Sequence, residues 1–107
     1  MKNLANMLKQ AQELQTRMSD VQRELEGMEV IGSSAAGMCE VTINGQGHAQ
    51  KLKIDPSLIS KDNNQVLEDV ILAAFNDAKS KSDVLKREKM ADLTGGVGLP
   101  AGFQLPF

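Results

Sequence analysis

Apolar residues recur along the first quarter of the chain at alternating spacings of three and four: Leu4, Met7, Ala11, Leu14, Met18, Val21, Leu25 and Met28. This is a heptad repeat, with Leu4, Ala11, Met18 and Leu25 at a and Met7, Leu14, Val21 and Met28 at d. No polar residue interrupts it. A 3.5-residue stripe this narrow predicts the seam of a coiled coil rather than the broad face of a globular helix. A helix over residues 3–29 would be about 40 Å long. That outreaches any core that 107 residues can build, so most of it is expected to lie against another long helix. Gly27 is a weak stop inside the repeat, because Met28 continues it.

The period then changes from 3.5 to 2. Glu29-Val30-Ile31-Gly32-Ser33-Ser34 predicts a short edge strand, and Ala35-Ala36-Gly37 a turn. Cys39, Val41 and Ile43 alternate with Glu40 and Thr42, and Leu52 and Ile54 with Lys51 and Lys53. Asn44-Gly45-Gln46-Gly47 between them predicts a hairpin, closed at Asn44-Gly45 or at Gly45-Gln46. Either closure puts Cys39, Val41, Ile43, Leu52 and Ile54 on one face and leaves Glu40, Lys51 and Lys53 to water.

Asp55-Pro56-Ser57 predicts a single helical turn, with Asp55 as cap and Pro56 at its first position. Asp62 and Gln65 fit a capping pair opening a second long helix. Its broad apolar face comprises Val66, Leu67, Val70, Ile71, Ala74, Phe75 and Ala78. Small Ala73, Ala74 and Ala78 would let another backbone approach closely. The stripe thins to Leu85 and Met90, so the helix is expected to end near Asp92. Leu93-Thr94-Gly95-Gly96-Val97-Gly98 should break it, and two prolines should keep the tail non-helical to Phe107. The expectation is an α+β fold: long helix, three-stranded antiparallel sheet, long helix, in one domain over residues 1–93, followed by a Gly/Pro-rich tail over residues 94–107. Because the strands sit midway, the helices should return antiparallel and pair. One small sheet with one apolar face suggests a symmetric homodimer joined through the strands.

Composition narrows the function classes. With 41% hydrophobic and 24% charged residues, the chain reads as a folded, soluble domain. No apolar run approaches the roughly 20 residues of a membrane span, and the N-terminus lacks a signal-peptide pattern. One cysteine excludes an intrachain disulfide and fits a reducing cytoplasm. The absence of Trp and Tyr, with only three Phe, argues against a base-stacking platform.

The formal charge of −2 is unevenly spread. Lys2, Lys9 and Arg17 face only Glu13 in residues 1–18, and Lys79, Lys81, Lys86, Arg87 and Lys89 outnumber Asp83 and Glu88 in residues 79–89. Residues 19–29 and 61–77 are acidic. Antiparallel helices would place both basic stretches at one tip and both acidic ones near the sheet. A local excess of cations attracts phosphate even in an anionic chain, although charge runs on helices also serve solubility alone.

Catalytic constellations are missing from the sequence. His48, the only histidine, belongs to the hairpin turn. Cys39 falls on the inward strand face as a small apolar group. No Cys/His spacing fits zinc and no acidic spacing fits a calcium loop. Gly95-Gly96-Val97-Gly98 lacks the strand-loop-helix setting and lysine of a phosphate loop. The heptad methionines fit a helix–helix interface. The expectation is a protein that is not an enzyme and takes no cofactor, metal or small-molecule substrate.

Several stretches together resemble the YbaB/EbfC family of nucleoid-associated proteins over nearly the whole chain. They are Met1-Lys2-Asn3-Leu4, Lys9-Gln10-Ala11-Gln12, Val41-Thr42-Ile43-Asn44-Gly45, Ile54-Asp55-Pro56-Ser57-Leu58, Ala73-Ala74-Phe75-Asn76-Asp77-Ala78, Glu88-Lys89-Met90 and the closing Leu99-Pro100-Ala101-Gly102-Phe103-Gln104-Leu105-Pro106-Phe107. Ala35 and Cys39 stand where the family pattern favours glycine and valine. The resemblance implies a tweezer-like homodimer with sheets joined at the centre. It also implies double-stranded DNA as partner, bound with limited sequence preference, a cytoplasmic location on the bacterial nucleoid, and a part in nucleoid organisation or gene regulation. Lys2, Lys9, Arg17, Lys79, Lys81, Lys86, Arg87 and Lys89 are the expected DNA-contacting residues. A coiled-coil interaction module with the helix–hairpin–helix outline of prefoldin-like chaperones is the alternative. It would need an apolar tip, for which the sequence offers Met1, Leu4, Leu8 and Leu85 among charges.

Overall fold

A computed structural model describes the backbone of residues 2–97 and the side chains of residues 3–93. Helix α1 (Lys2–Glu26) leads into β1 (Glu29–Ser34), β2 (Cys39–Asn44) and β3 (Ala49–Ile54), and helix α2 (Asn64–Val97) follows after two short 3-10 turns. The strands form one antiparallel sheet in the order β1-β2-β3. The molecule is drawn out to 72 × 23 × 17 Å.

Helix α1 ends earlier than the heptad suggests. Gly27 N–H already bonds back to the carbonyls of Arg23 and Glu24, and Glu29 belongs to β1. The β1–β2 connection is a tight 3-10 turn, Ala35–Gly37. It holds Ala35 and Ala36 at φ of 53° and 55°, a left-handed geometry that is strain-free only for glycine.

The β2–β3 turn is longer than either two-residue closure. Asn44 N–H bonds the His48 carbonyl at 2.9 Å, and the Asn44 side-chain oxygen accepts from the N–H groups of Gln46 and His48. The register slides by an even step, with a bulge between Thr42 and Ile43. Cys39 still opposes Ile54 and Val41 opposes Leu52, so the expected faces survive.

Helix α2 covers the apolar face of β1 and β2. Val30, Cys39, Val41, Ile43, Ala74 and Ala78 form the buried core, flanked by half-buried Ile54, Leu58, Val70, Ile71, Phe75 and Leu85. The close approach expected of the alanines occurs at Ala74 and Ala78 over Gly32, whereas Ala73 faces solvent. Asp77 Oδ2 accepts from Ser33 N–H at 3.0 Å, and Ser34 Oγ donates to the Val70 carbonyl at 2.6 Å, fixing α2 along β1. The Ser33 N–H and then Lys81 hold the Asp77 carboxyl below the usual carboxylate range.

Three expectations about α2 need correction. Its entry is capped not by Asp62 but by Ser60, whose hydroxyl accepts from Asp62 N–H and opens a 3-10 turn, Lys61–Asn63, ahead of the helix. The apolar face is narrower than the pattern suggests, since Val66 is 51% exposed. The helix also passes Asp92 and continues through Gly95 and Gly96 to Val97. Leu93 is buried against α1, and packing of this kind outweighs the helix cost of two glycines, about 1 kcal/mol each. The Asp55 cap with Pro56 at the first position occurs as expected. The expectation of a non-helical tail falls, over residues 98–107, outside the described residues.

Candidate nucleic-acid interface

Helix α1 and the second half of α2 form an arm, and the β2–β3 turn locks its root. Gly45 N–H donates to the Leu25 carbonyl at 2.7 Å, Gln46 Nε2 donates to the Gln22 carbonyl, and the buried Ser82 hydroxyl donates to the Gly45 carbonyl at 3.0 Å. Ser82 therefore lies level with the end of α1. From there α2 runs antiparallel to α1: Lys89 Nζ bonds Glu24 at 2.5 Å, and Leu93 shares a cleft with Arg17 and Val21.

This axial placement separates the two basic sets expected to meet at one tip. Lys79 lies over Gly47 of the β2–β3 turn, Lys81 Nζ reaches the Ile31 carbonyl of β1 at 3.2 Å, and Lys89 sits at Glu24. The basic run of α2 thus extends from the sheet to the middle of the arm. Lys9, fifteen residues before Glu24 on α1, stands about 22 Å farther out. Arg17 falls between and is brought beside Lys89. Lys2 is the first residue of α1, and its side chain lies outside those described.

The cations also differ in how free they are. Lys79 pairs with Asp83 at 3.4 Å, Lys81 with Asp77 at 3.0 Å, and Lys89 with Glu24. The Glu24 carboxylate raises the Lys89 pKa. Arg87 Nε donates to the Asp83 carbonyl. Among the described residues, Lys9, Arg17, Lys86 and Arg87 have no carboxylate within ion-pair distance, so phosphate can approach them without displacing a carboxylate. Sequence spacing shows which lysines are i,i+4 to an aspartate. The Lys89–Glu24 link between helices has no such local signal.

Among the described residues, the other features add no reactive centre. Cys39 is fully buried beneath α2. His48 is exposed in the turn. An open apolar groove runs between β3 and α2, lined by Val41, Ala49, Leu52, Ile71, Leu72 and Phe75. Of the apolar residues named for a chaperone-like tip, Leu4 and Leu8 are exposed on α1, Leu85 is half-buried at the core, and Met1 lies outside the described residues.

Fold and site together define an elongated α+β protein whose two-helix arm carries several cations without a carboxylate partner. Comparison with known proteins places that class. The model of the YbaB/EbfC DNA-binding family matches residues 1–97, and the chain belongs to this family. It is 59% identical to the nucleoid-associated protein Rru_A3472 of Rhodospirillum rubrum and 55% identical to the nucleoid-associated protein amb4104 of Paramagnetospirillum magneticum, over 107 residues and the full length of both partners in each case. The crystal structure of the uncharacterized protein HP0035 from Helicobacter pylori has the same fold. Its TM-score is 0.73 at 20% identity, over 89% of this chain and 97% of that one.

Proposed function

We propose that this chain is a non-enzymatic, homodimeric protein of the bacterial nucleoid that binds double-stranded DNA with little sequence preference, organising DNA and influencing its transcription. The observation that carries this reading is the line of unpaired cations, Lys9, Arg17, Lys86 and Arg87, along one arm of a protein of the YbaB/EbfC DNA-binding family. Lys2, the first residue of α1, is proposed as a further phosphate contact. Lys79, Lys81 and Lys89 join the line when phosphate replaces their carboxylate partners, and so contribute less each. The roughly 22 Å from Lys9 to the level of Lys89 corresponds to about six base-pair steps, at about 3.4 Å per step. An arm therefore lies along the duplex rather than touching it at a point. Cations on phosphates position a protein without reading sequence.

Dimerisation doubles the arms. The groove between β3 and α2 leaves Leu52 51% and Leu72 59% exposed, and β3 carries one unpaired edge. A second copy related by a two-fold axis would bury both grooves at once and complete the core of a sheet too small to stand alone. In this reading residues 94–107 are a tail outside the αβββα domain, although α2 itself runs on to Val97.

Fluorescence anisotropy with two duplexes of unrelated sequence tests the function. Similar affinities that fall together as salt rises are expected. A strong preference for one duplex, or binding indifferent to salt, would refute phosphate-led recognition.

A further inference from the structure

The three ion pairs of the described residues are not equivalent. Lys79–Asp83 and Lys81–Asp77 are i,i+4 pairs within α2, and exposed pairs of that kind hold weakly. Lys89–Glu24 instead joins α2 to α1. Its lysine side chain is 27% exposed, against 44% for Lys79 and 53% for Lys81. Partial burial lessens screening by salt, so this pair holds more firmly than the other two.

The pair lies in a cleft between the helices whose lining includes Arg17, Asp20, Glu24, Lys89 and Asp92. Two cations therefore meet three carboxylates there, and Glu24 is the one bonded to Lys89. A duplex phosphate that takes Lys89 must displace Glu24 and leave it unpaired beside Asp20 and Asp92. The exchange at Lys81 is milder, because Asp77 keeps the Ser33 N–H when the lysine leaves. Lys86 and Arg87, within a turn of Lys89, bind phosphate with no such exchange.

We propose that Glu24 sets the DNA affinity of the arm: its carboxylate is an internal substitute for phosphate that competes with the duplex for Lys89. The inference rests on the DNA-binding reading given above. Carboxylate and phosphate are both anionic acceptors that bond an ammonium group, so one can stand in for the other. With Glu24 in place the arm binds DNA more weakly, and with a shallower salt dependence, than its cations allow. Glu24 touches no DNA in this role and acts only through Lys89.

A double-mutant cycle in the full chain, read by fluorescence anisotropy on one duplex over a range of salt, tests this. Glu24→Gln removes the charge, keeps the shape and suits a helix. Its salt slope should steepen by up to about 0.9, the share of one more neutralised phosphate, and its affinity at about 0.1 M salt should rise severalfold, to a ceiling of about eightfold. In a Lys89→Gln background the same change should bring little of that gain, because no lysine is released. Glu26→Gln is the control for charge alone. It lies two residues along α1, has no ion-pair partner among the described residues, and should change affinity by less than about twofold. Circular dichroism should show equal helix content in all of them. A gain from Glu24→Gln that persists in full without Lys89 belongs to the general field of the carboxylate and overturns the proposal. So does an unchanged Glu24→Gln affinity when the parent binds DNA in a salt-dependent way. A parent that shows no salt-dependent binding overturns the DNA reading and this inference with it.

Discussion

Replacing Gly32 by alanine probes the packing on which the whole arm depends. Gly32 lies on β1 beneath α2, and a Cβ there would run into Ala78 N and the Ala74 carbonyl oxygen and stand 2.6 Å from Ala78 Cβ. Two of these are helix backbone and cannot rotate away, and non-bonded heavy atoms sit comfortably only at about 3.5 Å or more. Helix α2 must therefore lift by about 1 Å, enough to forfeit a quarter to a half of the dispersion attraction across the gap. Val30, Val41 and Ile43 lie under that gap. Overpacking of this kind costs about 1–3 kcal/mol. The lift also stretches the Ser33–Asp77 and Ser34–Val70 hydrogen bonds, the second, part-buried one worth about 1 kcal/mol, while the stiffer alanine returns about 0.5–1 kcal/mol in the strand. The net loss is about 2 kcal/mol. Urea unfolding followed by far-UV circular dichroism at fixed protein concentration should show it. With an m-value of about 1.5 kcal/mol/M, the midpoint falls by about 1.3 M. Gly27→Ala, whose Cβ meets nothing nearer than 3.6 Å, is the control and should stay within about 0.5 kcal/mol. If Gly32→Ala unfolds at the same midpoint as this control, α2 does not rest on β1 as described.

Leu52→Glu should convert the proposed dimer to a folded monomer in sedimentation at micromolar concentration, because Leu52 is half open in the single chain; an unchanged dimer would place the interface elsewhere. Val41→Glu or Ile43→Glu should instead weaken folding and assembly together, since each buries an unpaired charge. Cys39→Val should keep DNA affinity and most stability, and be milder than Cys39→Ser; loss of binding by the folded valine variant under reducing conditions would assign the thiol a function. The Asp77 carboxyl titrates below its unfolded value near pH 4, so the stability it adds is present above that pH and is lost as pH falls through the lower native value. Asp77→Asn should therefore be less stable at pH 7 and show a flatter pH dependence below about pH 4, and urea midpoints at pH 7 and pH 3 that shift in parallel with the parent would contradict this.

The strands and their faces were legible because alternation fixes side-chain parity, which the bulged four-residue turn leaves intact. Helix ends were less so. Ser60 could be recognised as a cap only once the 3-10 turn before α2 was known, and the burial of Leu93 that carries α2 past Asp92 comes from long-range packing on α1. The interface geometry was the least legible part. Pairing the helices by sequence assumes that their ends align, but the first part of α2 lies along β1, so its basic run is used up between the sheet and Glu24. Lys9 and Lys89, expected at one tip of the arm, are set apart by that offset, and the Lys89–Glu24 link has no local pattern to announce it. The turn at Ala35-Ala36-Gly37 was legible, but the positive φ of Ala36 was not, since alanine carries no left-handed signal of its own.

The central claim, that cations on the arm bind duplex phosphates irrespective of sequence, is tested most directly by the salt slope of binding in the parent and in Lys86→Gln/Arg87→Gln. Neither residue is held by a carboxylate, and glutamine preserves the helix. On two unrelated duplexes, log Kobs should fall linearly with log salt for the parent. The slope should shrink by about 1.8 in the variant, about 0.9 for each phosphate that is no longer neutralised, with affinity falling alike on both duplexes. A variant slope equal to that of the parent, or a weakening confined to one sequence, would contradict it.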